Sequence, residues 1–242
     1  MSVGTVYGVG LGPGDPDLMS VRADRLVRRG KHVAFFRKAG RKGQARQIVD
    51  SMLADDVIEF PMEYPVTTEI PVSDPRYNEA LAQLYEDASA HIRQIVETGE
   101  DVIVLCEGDP FFYGSFMHIY TRLNGVVPVE VVPAITGMSG AWTATGDPIT
   151  WGDDVLTVLA GTLDEDDLSK RMSETDALVV MKIGRNIDKI RRALKTAGKY
   201  DDAWIVEYAT MAHQSVQKLA DAPEGHTPYF AIIVVHGQGR RP

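Results

Sequence analysis

The sequence predicts an α/β fold in two parts, and three observations predict it. Short apolar runs alternate with amphipathic helical patterns over the first 106 residues. Residues 102–106, VIVLC, are an unbroken apolar run, the mark of a strand covered on both faces. Past Pro133 a helix of small residues opens a second series of strands and helices. Strand–helix alternation argues for a largely parallel sheet in the first part. A boundary near residue 134 gives domains 1–134 and 135–242.

The elements follow in order. A first strand over 3–9 runs into the glycine-rich turn GVGLGPGDP. A helix starts between 17 and 21 and stops at Gly30, a residue suited to a C-terminal cap. Residues 33–36 read as a strand, 44–53 as a helix and 57–60 as a strand. Pro61, Pro65, Pro71 and Pro75 punctuate a loop over 61–75. Leu81, Leu84, Tyr85, Ala88, Ile92, Ile95 and Val96 keep one helical face over 75–97, and Gly99 ends that helix. Beyond the small-residue helix at 136–145, strands are expected at 155–160, 177–181, 203–207 and 229–235, with helices at 165–172 and 186–197. Residues 213–219 alternate as an edge strand or hairpin arm would. No internal repeat or low-complexity tract interrupts the chain.

Composition excludes several classes. With 44% apolar and 24% charged residues over 242 positions, the chain is neither a disordered tail nor a disulfide scaffold. A net charge of -9 argues against nucleic acid and anionic membrane as partners. The average conceals residues 22–46, which carry ten basic side chains and one acid, Asp24, for a local charge of +9. That stretch is either a solvated helix face followed by a basic loop or a site for an anionic ligand. Cys106 is the single cysteine, so no intrachain disulfide forms, as suits a reducing compartment. No apolar run is long enough to span a bilayer and the first residues lack a signal-peptide pattern, so a cytoplasmic protein is expected.

Four segments could carry chemistry. The turn after the first strand fails the dinucleotide pattern G-x-G-x-x-G, because Pro13 and Asp15 stand where glycines are needed. Pro13 and Pro16 also lack the amides that grip a pyrophosphate, although the glycines still let backbone approach a ligand. The second segment, EGDPFFYGS from Glu107 to Ser115, follows the buried strand at the carboxyl end, where α/β sheets place ligands. The third is PAITG from Pro133 to Gly137, leading into the small-residue helix. The fourth, VVMKIGRN, sets Lys182 at a strand end and Arg185 at a helix start, where cations suggest anion handling. The histidines at 32, 91, 118, 213, 226 and 236 show no metal-ligand spacing, so no metal is expected. No nucleophile elbow or P-loop is present.

Together GLGPGDPDLMS, LCEGDPFFYGS, VVPAITG and VVMKIGRN resemble the tetrapyrrole methylase family, in order and approximate spacing, over essentially the whole chain. The basic segment RKAGRKGQAR, the pair DDVLTVLAGTL and MKIGRN, EYATM followed by Gln217, and the ending PYFAIIVVHGQGRRP sharpen that likeness. The resemblance implies a two-domain fold, with an N-terminal mostly parallel sheet, a C-terminal mixed sheet and the active site in the cleft between. It implies S-adenosylmethionine as cofactor, with S-adenosylhomocysteine as product, and no metal. By motif position, the cofactor contacts would be Pro13, Glu107, Gly108, Asp109, Phe112, Thr136, Gly137, Met181, Ala209 and Ala231. Ala134 stands where the family usually carries glycine, which matters if that turn needs positive φ.

The implied reaction is methylation of C20 of precorrin-2 to precorrin-3A, in cobalamin biosynthesis. The sulfonium is already a strong electrophile and C20 is electron-rich, so the protein's work is alignment and exclusion of water. A proton must then leave C20. Asp109, Glu107 and Tyr113 stand at the predicted mouth, and no one of them is singled out as the base. A polycarboxylate substrate needs cations near the site, for which Arg37, Arg41, Lys42, Arg46, Lys182 and Arg185 are the candidates. Two alternatives stay open: C20 methylation of cobalt-factor II, and a non-catalytic S-adenosylmethionine-binding regulator. A family member acting on a protein fits the cations less well. The family implies a homodimer, to which Phe111, Phe112, Trp142 or Trp151 could contribute, core packing being the competing role for each.

Overall fold

The computed structural model describes residues 2–65, 74–225 and 227–241; Pro71 and His226 fall outside them. The chain divides into two compact units, Met1–Thr136 and Gly137–Pro242.

The first unit is built on strands β1 (Val6–Gly10), β2 (His32–Lys38), β3 (Ile58–Tyr64), β4 (Val102–Cys106) and β5 (Val129–Val132). They form one sheet in the order β3-β2-β4-β1-β5, and every pairing is parallel. Helices α1 (Val21–Arg29) and α2 (Gln44–Ile48) cover one face, and α3 (Pro75–Glu97) and α4 (Phe116–Leu123) the other. The central strand β4 shows why its sequence is continuously apolar. Val102, Val104 and Cys106 pack toward α3 and α4, while Ile103 and Leu105 pack toward α1 and α2. From β1 the chain crosses to β2 on one side, and from β4 it crosses to β5 on the other. The β1/β4 pair is therefore where strand order reverses, and a ligand site is expected at its carboxyl end.

Two glycines are explained by contact. A Cβ at Gly8 would lie 2.2 Å from the ring of Phe116, so glycine is what lets α4 close onto β1. Gly30 does cap α1, but with φ -66 it needs no left-handed backbone. Its Cβ would instead meet Ile103 at 2.9 Å, so packing against the sheet selects glycine there.

Several expected boundaries shift. The helix expected over 44–53 stops at Ile48, and the chain goes on in turns closed by Asp50 N–H to Gln47 O and Met52 N–H to Val49 O. Asp50 and Ser51 are poor helix interior residues, and the Asp50 carboxylate is engaged by Lys42 and Arg46. Strand β3 runs through Pro61 to Tyr64 rather than ending at Phe60. An edge strand has one neighbour, so a residue without N–H fits on its open side. Pro75 is the first residue of α3, and the Asp74 carboxylate caps it by accepting from Arg76 N–H at 3.0 Å. Strand β5, between Pro128 and Pro133, was not anticipated; four residues are too few to show a period.

The second unit holds helix α5 (Gly137–Ala144), strand β6 (Leu156–Ala160), helix α6 (Glu165–Ser173), strand β7 (Ala177–Met181), helix α7 (Ile187–Thr196), and strands β8 (Trp204–Glu207), β9 (Ser215–Lys218) and β10 (Ala231–Val235). Its sheet order is β6-β7-β10-β8-β9. Only β6 and β7 pair in parallel, so the sheet is mixed. Helices α6 and α7 pack on one face and α5 on the other. The alternating segment at 213–219 yields β9, an edge strand.

Candidate functional site

Three of the four motifs meet at the carboxyl end of β1 and β4. Leu11 N–H donates to Cys106 O at 3.0 Å, and Gly108 N–H donates to Gly12 O at 2.8 Å. Both glycines of that bridge take the left-handed region, Gly12 at φ 84 and Gly108 at φ 63, which β-carbons disfavour. The glycine-rich turn and the EGDP loop are thus hydrogen-bonded to each other. The PAITG turn joins them through Asp109: its Oδ1 accepts from Phe111 N–H at 2.9 Å and its Oδ2 from Ala134 N–H at 3.0 Å. A Cβ at Gly10 would stand 2.6 Å from the Ala134 Cβ, 2.8 Å from Gly108 O and 2.9 Å from Pro110 Cδ. Ala134 itself has no positive φ. Alanine is therefore no strain at this turn, because its amide is anchored by a carboxylate and its backbone stays in an ordinary region. Pro13 is buried at the head of the glycine-rich turn, and Phe112 is half-buried with its ring edge-on to Tyr113 at 4.9 Å.

The two ionisable groups at the end of β4 have distinct environments. Burial pushes the Cys106 thiol well above its ordinary pKa, and the charges of Glu107 and Asp109 add to this. Its Sγ sits 3.6 Å from Val104 O. A neutral, buried thiol is a poor nucleophile. Native protein is expected to resist thiol-directed alkylation, Cys106 being modified at the unfolding rate; prompt modification under native conditions contradicts this.

Glu107 is an exposed residue whose carboxyl turns back onto the start of α2. Its Oε1 accepts from Ala45 N–H in the first turn of α2 at 3.0 Å. Burial raises the Glu107 pKa, and the bonds from its own amide and from Ala45 only partly offset this. The folded chain therefore binds this proton more tightly than the unfolded chain. The stability it contributes is complete below the ordinary carboxyl pKa, is lost as pH rises to the folded value, and is flat above it. Glu107→Gln is expected to flatten that part of the stability–pH curve, measured by denaturant melts from pH 4 to 8. An unchanged slope would rule the assignment out.

Backbone strain singles out the same motifs. Among the described residues, the non-glycine residues at positive φ are Tyr113 (57), Lys182 (56), Tyr208 (52) and Thr210 (66). Tyr113 lies in EGDPFFYGS, Lys182 in MKIGRN, and Tyr208 and Thr210 in EYATM. Such residues persist only where surrounding contacts over-determine them, and they cluster at functional sites. In the second unit, Met181 ends β7 and Ala209 follows β8, and both side chains belong to the α5 face of the sheet. Ala209 is flanked by two strained residues. Tyr208 N–H donates to Phe230 O at 2.7 Å and Thr210 N–H to Gln214 Oε1 at 2.7 Å. Ala231, opposite Glu207 in the ladder, points to the other face, so only its backbone shares the strand end with Ala209. Gly137 opens α5, and a Cβ there would meet Ile232 at an ordinary 3.5 Å. Thr136 precedes it.

The basic segment divides in two. Arg22 pairs with Glu130, Arg28 with Asp24 and Lys31 with Glu100, while Arg29 lies over the Tyr7 ring. That is a solvated helix face. Farther on, Arg37 donates to Glu63 on the adjacent strand at 2.6 and 2.9 Å, and Lys42 reaches both Asp50 oxygens at 2.7 Å. Arg46 bridges Glu59 and Asp50 with its side chain only 12% exposed, and the bond to Glu59 raises its pKa. Of the six cations expected at a polyanion, Arg41 and Arg185 make no ion pair among the described residues. Lys182 holds the strained position after β7.

Two side chains were not anticipated. Ser115 Oγ lies 2.6 Å from Tyr64 Oη, and Gln214 holds the Thr210 turn. A serine at a helix start reads as a cap, and nothing in sequence pairs it with a tyrosine 51 residues away. Trp142 packs in the core of the second unit, and Arg241 lies over the Trp151 ring at 4.6 Å, while Phe111 is exposed. Among the described residues no group of three or more His, Cys, Asp or Glu could hold a metal ion. Among the same residues no helix is long and apolar enough to cross a membrane.

Known proteins resemble this chain in sequence and in fold. The family model for tetrapyrrole (corrin/porphyrin) methylases matches residues 5–223. The chain is 44% identical over 242 residues to a precorrin-2 C(20)-methyltransferase from Sinorhizobium sp, covering 100% of this chain and 99% of that protein. It is 26% identical over 240 residues to a cobalt-precorrin-2 C(20)-methyltransferase from Salmonella typhimurium, with 97% of each chain covered. Its fold matches the crystal structure of a cobalt precorrin-4 methyltransferase with a TM-score of 0.73 at 19% identity, over 96% of this chain and 94% of the other. The family model spans most of the chain, the Sinorhizobium relative matches it from end to end, and the chain belongs to the tetrapyrrole methylases.

Proposed function

We propose that this protein transfers the methyl group of S-adenosylmethionine to C20 of precorrin-2, giving precorrin-3A in cobalamin biosynthesis. The observation that carries the reading is likeness along the whole chain to a protein bearing that activity in its name. The local geometry is compatible with the cofactor. Gly12 and Gly108 put backbone without side chains at the switch point, and Gly137 opens α5 where a Cβ would make only an ordinary 3.5 Å contact with Ile232. Pro13, the 107–109 backbone, Phe112, Thr136 and Gly137, with Met181, Ala209 and Ala231, would hold it.

The cofactor supplies an electrophilic methyl group on its sulfonium. The chain's own residues orient and shield. Asp109 has both carboxylate oxygens on backbone amides, so its work is to hold two loops together. Burial raises the proton affinity of the Glu107 carboxyl, which suits it to accept the proton leaving C20. Arg41 and Arg185 are the cations with capacity left for substrate carboxylates. A homodimer and a cytoplasmic location complete the reading as expectations.

Methylation with labelled S-adenosylmethionine, read by product mass and by the methylated position, tests it. Precorrin-2 is expected to be methylated at C20. The second reading, a cobalt-loaded substrate, draws on the Salmonella relative, to which the chain is less similar. Turnover of the cobalt-loaded tetrapyrrole alone would favour that reading. Cofactor binding without any turnover would leave a regulator.

A further inference from the structure

Ser115 stands at the start of α4, where a serine ordinarily turns its hydroxyl onto the helix's open amides. It makes no such bond. Its Oγ instead faces two phenols: Tyr64 Oη at 2.6 Å, and Tyr85 Oη, which donates at 3.4 Å. Tyr64 ends β3 and stacks on Phe36 at 5.5 Å. Tyr85 is buried in α3, edge-on to Phe36 and stacked on His118 at 4.4 Å. A β-strand, a long helix and the motif loop therefore converge on one hydroxyl.

That hydroxyl lies two residues beyond Tyr113, the strained residue of the EGDPFFYGS loop. Gly114 between them cannot take a Cβ without approaching Pro110 O at 3.0 Å. The loop is held at its first end by the Gly12–Gly108 bridge and in its middle by Asp109. At its far end the hydroxyl cluster is an attachment beside the buried Phe116. A left-handed tyrosine needs such over-determination to persist.

We propose that Ser115, gripped by Tyr64 and Tyr85, is a positioning residue. It fixes the far end of loop 107–115, so that Phe112 and the 107–109 backbone meet S-adenosylmethionine in one conformation. The inference rests on the cofactor reading above.

Calorimetric titration of S-adenosylmethionine, with steady-state kinetics, tests it on Ser115→Ala, Tyr64→Phe, their double variant and Ser115→Thr. Loss of a shared hydrogen bond is expected to raise the cofactor Kd about tenfold in Ser115→Ala and about fivefold in Tyr64→Phe. The double variant should lose less than the product of the two single losses, because both changes remove the same bond. Ser115→Thr, which keeps the hydroxyl, should bind within about twofold of wild type, and kcat at saturating cofactor should hold in all four. Multiplying losses in the double variant, or wild-type affinity in both single variants, overturn the proposal. Should Ser115→Ala not fold, Tyr64→Phe and Ser115→Thr decide: loss in the first with retention in the second supports it, and equal affinity in both overturns it. A wild-type chain that takes up no S-adenosylmethionine overturns the cofactor reading and this inference together. A binding wild type with unaffected variants overturns the inference alone.

Discussion

Gly10→Ala is expected to abolish S-adenosylmethionine binding and to destabilise the first unit by about 2 kcal/mol. The added methyl has nowhere to go. It would meet the Ala134 Cβ at 2.6 Å, Gly108 O at 2.8 Å and Pro110 Cδ at 2.9 Å, and one of these is backbone in the bridged loop. Relief requires that the EGDP loop and the PAITG turn separate, which also stretches the Asp109 to Ala134 amide bond. Gly125→Ala is the control. Gly125 has φ 82 with no atom within 4 Å of its would-be Cβ, so the cost is backbone strain of about 1 kcal/mol without displaced neighbours. Denaturant melts and calorimetry on both variants make the check. Cofactor affinity within twofold of wild type in Gly10→Ala would contradict the assignment of the switch point as the cofactor site.

The second large effect concerns the substrate. Arg41→Ala and Arg185→Ala should each raise the Michaelis constant for the tetrapyrrole about tenfold or more, the usual loss for one charge-assisted contact, and leave cofactor affinity unchanged. Arg46→Ala should behave in the opposite way. Its guanidinium is nearly enclosed between Glu59 and Asp50, so its removal leaves Glu59 without its partner, while Asp50 keeps Lys42, and lowers stability by about 1 kcal/mol. Its effect on the tetrapyrrole Michaelis constant should be small. Lys42→Ala, whose ammonium already serves Asp50, is expected to fall between the two. Wild-type Michaelis constants in both Arg41→Ala and Arg185→Ala would remove these two residues from the substrate site.

Much of this was legible in the chain because it depends on local pattern. The central strand β4, the helix α3 and the strand β7 coincide with the expected ranges, since an unbroken apolar run or a sustained helical face is visible along a few turns of sequence. The failed dinucleotide pattern was also local: Pro13 and Asp15 occupy the positions at issue. Strand β5 and the continuation of β3 through Pro61 were not legible, because edge position decides whether four residues or a proline can serve as strand.

The charge excess at residues 22–46 and the four motifs are properties of the sequence by itself. So are the α/β class and the family likeness. Which basic side chains retain charge for a ligand is a property of the fold, because Glu59, Glu63 and Glu130 reach their arginines only through strand pairing and crossover. The role of Asp109 has the same origin. Spacing offers it as an acid or base, and only the approach of the Ala134 amide, 25 residues away, occupies its second oxygen. Hydrogen bonds and ion pairs act over a few ångströms, and the distances that matter here are set by how the strands of the sheet are ordered.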